Sequence, residues 1–260
     1  MLMTADYYIE KEGLFIYQED QKIRLAVERL GLNSVAAFKP KEKIIEYLVS
    51  EEPDEPLAGM SVRAFIEEIA ARTSAPGGGS ASAAIAAIGS GLGAMVAKLT
   101  WGVRKFEDVQ PQMMQAIPAL HEVTRKLIPM IDADTSAFNE YIEGLRMPKN
   151  NEQEKTVRAA KMQKGLKTAI DVPLTTMRVA DSAWESLCLV AEYGNPASKS
   201  DTQVGARSLE TGIWGAYQNV LINMEGITDT AYRNTVLAEA EQMALRAKNQ
   251  CEKVLSLLER

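Results

Sequence analysis

The sequence predicts an all-α protein, a multi-helix bundle carrying a short N-terminal α/β appendage. Three observations point there. Beyond residue 60 the apolar residues recur at three- and four-residue steps, with no alternating stretch of useful length among them. The breaks between these runs carry helix punctuation: Ala75-Pro76-Gly77-Gly78-Gly79, Met147-Pro148 before Asn150 and Asn151, and Gly194-Asn195-Pro196 before Ser200-x-x-Gln203, which reads as a capping box. The composition, 46% hydrophobic and 25% charged over 260 residues, suits a soluble globular core and excludes disorder, collagen and coiled coil.

Residues 1–49 are too few for a core of their own. Within them Tyr7–Tyr17 mixes aromatic and β-branched residues and is expected as one strand, and Glu19–Leu30 as a helix with Ile23, Val27 and Leu30 on one face, stopped by Gly31. Proline and acidic residues cluster over residues 50–59, the linker, and residues 60–260 form the helical domain. Helices are expected over Ser61–Arg72, Gly79–Trp101, Gln112–Met147, Asn151–Tyr193, Ser200–Asn223 and Thr228–Leu258. Pro118, Pro129 and Pro173 fall inside two of them, where each removes an intrahelical donor and should kink or split the helix. Ser80–Leu99 has the length of a membrane span. Its Ala, Gly and Ser content instead fits a central helix that neighbours approach closely on several sides.

Charge and residue counts narrow the function. Lys and Arg number 29 against 35 Asp and Glu, a net charge of −6, which offers no general footprint for nucleic acid. The two cysteines, Cys188 and Cys251, lie far apart and in no CxxC pattern, as expected in a reducing cytoplasm. One histidine, His121, cannot build a two-histidine metal site and reads as structural; carboxylate chemistry is the better expectation. The first residues, MLMTADYYIEKEG, lack the pattern of a signal peptide.

Four features can carry chemistry. In Asp132-Ala133-Asp134 the two acids stand about 200° apart around a helix and cannot act as a pair. Asp134 falls in the stripe Leu127, Ile131, Phe138, Tyr141 and Leu145, whereas Asp132 falls with Thr135, Ser136 and Asn139 on the polar side, where it is solvated. A carboxylate in an apolar seam loses hydration and gains pKa, which makes Asp134 either a general acid/base or a structural acid paired with a core arginine or a helix end. The glycines before Ser80 let backbone approach a ligand at a helix N-terminus, or simply make a tight turn; no Walker lysine follows. Lys155, Arg158, Lys161, Lys164 and Lys167 wind round one helix as a ribbon that could receive a chain of carboxylates, or be a solvated face. Asn195, Lys199 and Asp201 gather an amide, a cation and a carboxylate round a helix start, beyond what capping alone needs. Trp101, Trp184 and Trp214 read as core or interface residues.

The segments Arg72–Ser80, Asp132–Asp134, Met147–Asn150, Gly194-Asn195, Ser200–Val204 and Gly215–Asn223, in this order, resemble the formiminotetrahydrofolate cyclodeaminase domain of the bifunctional formiminotransferase-cyclodeaminase family. The resemblance runs from about Leu57 to the C-terminus. Residues Asp6–Leu48 resemble the tail of the transferase half, without that half's catalytic histidine, so the chain is expected to be a fragment or the product of a split gene. The resemblance implies an all-helical, cytoplasmic homodimer or higher oligomer that converts 5-formiminotetrahydrofolate to 5,10-methenyltetrahydrofolate and ammonia, in histidine degradation and one-carbon metabolism. It implies no cofactor beyond tetrahydrofolate itself, no metal, no nucleic acid and no membrane, with a separate formiminotransferase chain as a candidate partner. It also places the catalytic aspartate on Asp134. Beside it, chemistry and motif shape assign Gly77, Gly78, Gly79, Ser80, Lys149, Asn195, Lys199 and Asp201 to the substrate, and Lys155, Arg158, Lys161 and Lys164 to a polyglutamate tail. The alternatives are a methenyltetrahydrofolate cyclohydrolase and a non-catalytic oligomerisation module.

Overall fold

The computed structural model describes residues 1–34, 36–45 and 55–259. Among these residues every regular element is helical. The chain divides into two compact units, Met1–Asp54 and Glu55–Arg260; the linker expected at 50–59 lies partly outside the described residues.

The first unit holds α1 (Leu2–Glu12), α2 (Glu19–Arg29) and α3 (Pro40–Lys43). The strand expected at Tyr7–Tyr17 is instead the latter part of α1 and the turn that ends it, so the described part of the appendage is helical rather than α/β. The aromatic content that suggested a strand works here along a helix: Tyr7 and Tyr8 meet edge to face at 5.2 Å, and Lys11 Nζ lies 5.6 Å and 5.9 Å from their centroids. Gly13, left-handed at φ 64°, terminates α1 by letting the Gly13 and Leu14 amides turn back to the carbonyls of Glu10 and Ile9. Arg29 grips Glu12 through two hydrogen bonds of 2.8 and 2.6 Å, and Lys22 pairs with Asp6 at 2.7 Å, tying α2 to α1. Ile23, Val27 and Ile44 form a small core with Met1 and Phe38 against it, but Leu30, expected on the same face, is exposed.

The second unit holds α4 (Val62–Ile69), α5 (Gly78–Thr100), α6 (Gln110–Leu127), α7 (Met130–Arg146), α8 (Glu152–Asp181), α9 (Trp184–Tyr193), α10 (Lys199–Met224) and α11 (Thr230–Leu258). Two of the long helices expected from the sequence are each divided. Pro129, which has no amide to donate, separates α6 from α7, and tight turns through Ser182 and Ala183 separate α8 from α9. Pro118 and Pro173 do not divide their helices. The carbonyl that Pro173 leaves without its intrahelical donor, that of Ala169, accepts from Asn223 Nδ2 at 3.0 Å. The capping box expected at Ser200 is not formed, because α10 begins at Lys199; Asn195 instead caps the short turn before it by accepting from the Ala197 amide at 3.1 Å. At the start of α8, Asn151 caps as expected, accepting from the Glu154 amide at 2.8 Å.

The centre of this unit is α5, against which α6, α7, α8, α9 and α10 all pack. It is long and apolar enough to cross a membrane, but most of its apolar length is buried in the protein. Its small residues set the approach of α10. A Cβ on Gly89 would stand 2.7 Å from the Gly205 carbonyl oxygen and 2.8 Å from the Leu209 nitrogen, and one on Gly212 would stand 2.7 Å from the Ser82 carbonyl oxygen. The two backbones therefore touch, and α10 runs antiparallel to α5 from residue 205 opposite 89 to residue 215 opposite 82. Gly89→Ala should thus push backbone against backbone and lower the unfolding free energy by about 1–3 kcal/mol in urea titration.

Candidate active site at the first turn of α5

Glycines 77–79 bring the chain into α5 without side chains of their own, Gly78 exposed and Gly79 buried, and two side chains from other helices occupy the space this leaves. The Asp134 carboxylate of α7 lies against Gly79 so closely that a Cβ there would overlap it. On the neighbouring side, a Cβ on Gly78 would stand 3.4 Å from Asn219 Nδ2 of α10. The Ser80 amide donates to Asp134 Oδ2 at 2.9 Å. The Ser80 hydroxyl donates to the Ile131 carbonyl at 2.7 Å, with Asp134 Oδ2 at 3.3 Å and Thr135 Oγ1 at 3.2 Å around it. Of the alternatives for an acid in this seam, the geometry realises the helix end, and it does so beside an open backbone turn.

Opposed effects act on Asp134. Burial raises its pKa above the ordinary value of 3.8, and the hydrogen bonds from the Ser80 amide and hydroxyl work against that rise. A carboxyl displaced upward in this way is better matched to proton transfer near neutrality than a solvated one.

Asp132 is not solvated as its place on the helix wheel suggested. It is 8% exposed and accepts from two successive amides, Leu57 at 2.7 Å and Ala58 at 3.0 Å. Leu57 packs with Ala83 and Ile131, and that contact carries the two amides onto α7 from 75 residues away in sequence. Helix periodicity holds no trace of so distant a partner. The first acid of Asp-Ala-Asp thus fastens the chain that leads into α4, while the second faces the glycine turn.

The other expected site residues do not join Asp134 within one chain. The Asn195 amide donates to Thr100 Oγ1 at 2.8 Å, at the far end of α5. That helix has 23 residues, so Asn195 stands about 30 Å from the glycine turn, and Lys199 and Asp201, on the first turn of α10, stand about 20–25 Å from it. Lys149 follows the opposite end of α7 from Asp134. The basic ribbon lies on α8 and is laced to neighbouring acids: Lys155 to Glu152 at 2.7 Å, Lys161 and Lys164 to Glu140 at 3.4 and 3.6 Å, and Lys167 to Asp229 at 3.2 Å. Arg158 donates to the Leu145 carbonyl at 3.3 and 3.2 Å. Burial and the nearby Lys98 push His121 down to about 4, so it is neutral at physiological pH and lies toward the other end of α5. Among the described residues no group of three or more His, Cys, Asp or Glu side chains is placed to hold a metal ion.

Residues 61–242 match the family model described as formiminotransferase-cyclodeaminase, and residues 1–50 match the one described as the formiminotransferase domain. The chain belongs to the formiminotransferase-cyclodeaminase family. It is 49% identical over 260 residues to the formimidoyltransferase-cyclodeaminase of Dictyostelium discoideum and 44% identical to that of Sus scrofa. These alignments cover 99% and 100% of the chain but 48% of each relative, so the chain spans about half their length. A methenyltetrahydrofolate cyclohydrolase from Methylorubrum extorquens is 36% identical over 187 residues, 72% of this chain and 90% of that one. Among solved structures, the formiminotetrahydrofolate cyclodeaminase of Thermotoga maritima superposes with a TM-score of 0.69 at 29% identity, over 77% of this chain and 96% of that one.

The raised pKa of Asp134 has a consequence for folding. The folded carboxyl holds its proton more tightly than the unfolded one, so the stability it contributes is present below pH 3.8 and is lost as the pH climbs through the folded value. Asp134→Asn keeps an oxygen for the Ser80 amide and carries no charge. In urea titrations the variant should be more stable than the parent at pH 7, with the gap closing as the pH falls toward 4.

Proposed function

We propose that the chain is a formimidoyltetrahydrofolate cyclodeaminase, with Asp134 as its proton-transfer residue. The observation that carries this reading is the half-buried carboxyl of Asp134, held by the Ser80 amide and lying against Gly79, next to the exposed Gly78 at the first turn of α5. In 5-formiminotetrahydrofolate, with the formimino group in its protonated amidinium form, N10 attacks the formimino carbon, and a tetrahedral carbon bearing an NH2 group forms between N5 and N10. N10 gives up its proton to the Asp134 carboxylate, which passes it to the exocyclic nitrogen. The C–N bond to that nitrogen breaks, ammonia leaves, and the N5–C–N10 amidinium of 5,10-methenyltetrahydrofolate remains. One carboxyl serves both transfers because burial favours its acid form while the Ser80 amide and hydroxyl favour its anion. No cofactor beyond the folate is needed for this chemistry.

The Methylorubrum extorquens relative supports a second reading, a methenyltetrahydrofolate cyclohydrolase, in which water adds to the carbon that the first reaction closes. The absorbance of methenyltetrahydrofolate separates the two. With 5-formiminotetrahydrofolate at neutral pH, the parent should raise it above the uncatalysed rate and Asp134→Asn should lower that rate by 100-fold or more, about the loss expected of a general acid/base. A parent that only consumes methenyltetrahydrofolate is a cyclohydrolase.

A homodimer completes this reading. One side of α5 carries Ile85, Ile88, Leu92, Met95 and Leu99, of which Ile88 is 58% and Leu99 51% exposed, and α10 adds Trp214 at 59%. Exposed and partly exposed apolar side chains on one helix face of a charged protein offer a surface for association. A second copy packed on it about a two-fold axis perpendicular to α5 runs its α5 antiparallel to the first. That arrangement would bring residues 195–201 of the second copy toward Asp134 of the first, which joins what one chain holds about 20–30 Å apart. Ile88→Asp should therefore shift the protein to monomer in sedimentation and remove the activity together.

The ribbon Lys155, Arg158, Lys161 and Lys164 remains the proposed seat of a polyglutamate tail. The Lys155 and Lys164 side chains are exposed and the Lys161 pair with Glu140 is part-buried, so the exposed pairs are weak enough to be exchanged for substrate carboxylates. Reversing the charge of Lys161 and Lys164 should abolish any lower KM for polyglutamylated over monoglutamyl substrate, with kcat unchanged.

A further inference from the structure

The segment Gly215–Asn223 is mostly accounted for by packing. Gly215 lies against Ser82, and Asn223 satisfies the Ala169 carbonyl that Pro173 cannot bond. Asn219 is not so explained. Its side chain stands beside Gly78, one residue from the glycine that faces Asp134, so a single backbone turn has the carboxylate on one side and this carboxamide on the other.

Three details give the carboxamide a direction. Asn219 Nδ2 donates to the Gly215 carbonyl at 3.0 Å, which fixes the nitrogen end of the amide and prevents its flip. That leaves the second Nδ2 proton and Oδ1 unengaged by any protein group among the described residues. Asn219 also lines an open groove of about 460 Å³ with Gln218, Leu221, Ile222 and Glu225, and Ile222 is 68% exposed, so apolar as well as polar side chains lie beside a fixed donor and acceptor.

We propose that Asn219 is the residue that selects the pterin ring, its free Nδ2 proton donated to the ring C4 carbonyl and its Oδ1 accepting from the ring N3–H. This rests on the folate reading above and adds to it how the ring is recognised. A lactam edge presents one acceptor beside one donor, the complement of a primary amide held in one orientation. In a 4-amino-4-deoxy ring the two are exchanged, so both contacts become like against like, and Asn219 cannot turn over without losing the Gly215 carbonyl.

The test compares dissociation constants of tetrahydrofolate and 4-amino-4-deoxytetrahydrofolate for the full chain, the parent beside Asn219→Ala and Asn219→Asp, with melting temperatures measured alongside. The parent should favour the lactam ring by about tenfold or more, the worth of one to two hydrogen bonds. Asn219→Ala should bring the ratio close to one. Asn219→Asp, which only accepts, should move it toward the 4-amino ring. A merely structural asparagine would weaken both ligands alike, so a parent-like ratio in both variants overturns the assignment, as does a parent indifferent to the exchange. A parent that binds neither ring and forms no methenyltetrahydrofolate overturns the folate reading itself.

Discussion

The contact between the Asp134 carboxylate and the first turn of α5 is the constraint on which the site depends. It requires glycine at residue 79, because any side chain there would overlap the carboxylate. It also requires α7 to start where it does, since Ser80 holds both Asp134 and the Ile131 carbonyl. Electrostatically the position is a compromise. The free amides of a helix N-terminus favour the anion, and partial burial favours the acid. A group poised in this way can give and take a proton in one turnover, which neither a fully solvated nor a fully paired aspartate does well.

The rest of the helical unit maintains this contact. Backbone touches backbone along α5 and α10, which fixes where Asn219 falls relative to Gly78. Asn223 repairs the hydrogen-bond defect that Pro173 makes in α8, so that a long helix carries a proline without dividing. On the other side of α7, Asp132 receives two amides from the chain before α4. The pair Asp132 and Asp134 thus divides between anchoring the chain before α4 and facing the glycine turn, where the proposed chemistry lies, and the 200° between them on the helix is what separates the two positions.

Much of this was legible from the sequence, and the failures have physical causes. The helical period, the glycine and proline punctuation and the small-residue helix gave the elements of the second unit and its centre. The interruption of an apolar seam singled out Asp134, and the family resemblance pointed to the same residue. Periodicity sees only neighbours on one element. It could not see that Leu57 and Ala58 would reach Asp132, nor that Asn195, Lys199 and Asp201 would sit at the far end of α5 from the glycine turn. Tyr7 and Tyr8 misled because aromatic residues favour strands on average, whereas here their rings are engaged by Lys11 along a helix. Asn219 had a signal that went unread. Glycines at residues 212 and 215 mark the close approach of α10 to α5, and the next polar side chain one turn on had to fall near the glycine turn.

The most direct measurement of the central claim is the titration of Asp134 itself, by carboxyl carbon NMR of aspartate-labelled protein, with Asp134→Asn to assign the resonance. The expected result is one aspartate titrating clearly above the ordinary value of 3.8 and missing from the variant. A resonance that titrates at or below that value would show an anion secured by the helix terminus, a structural cap without the proton affinity that the proposed chemistry needs.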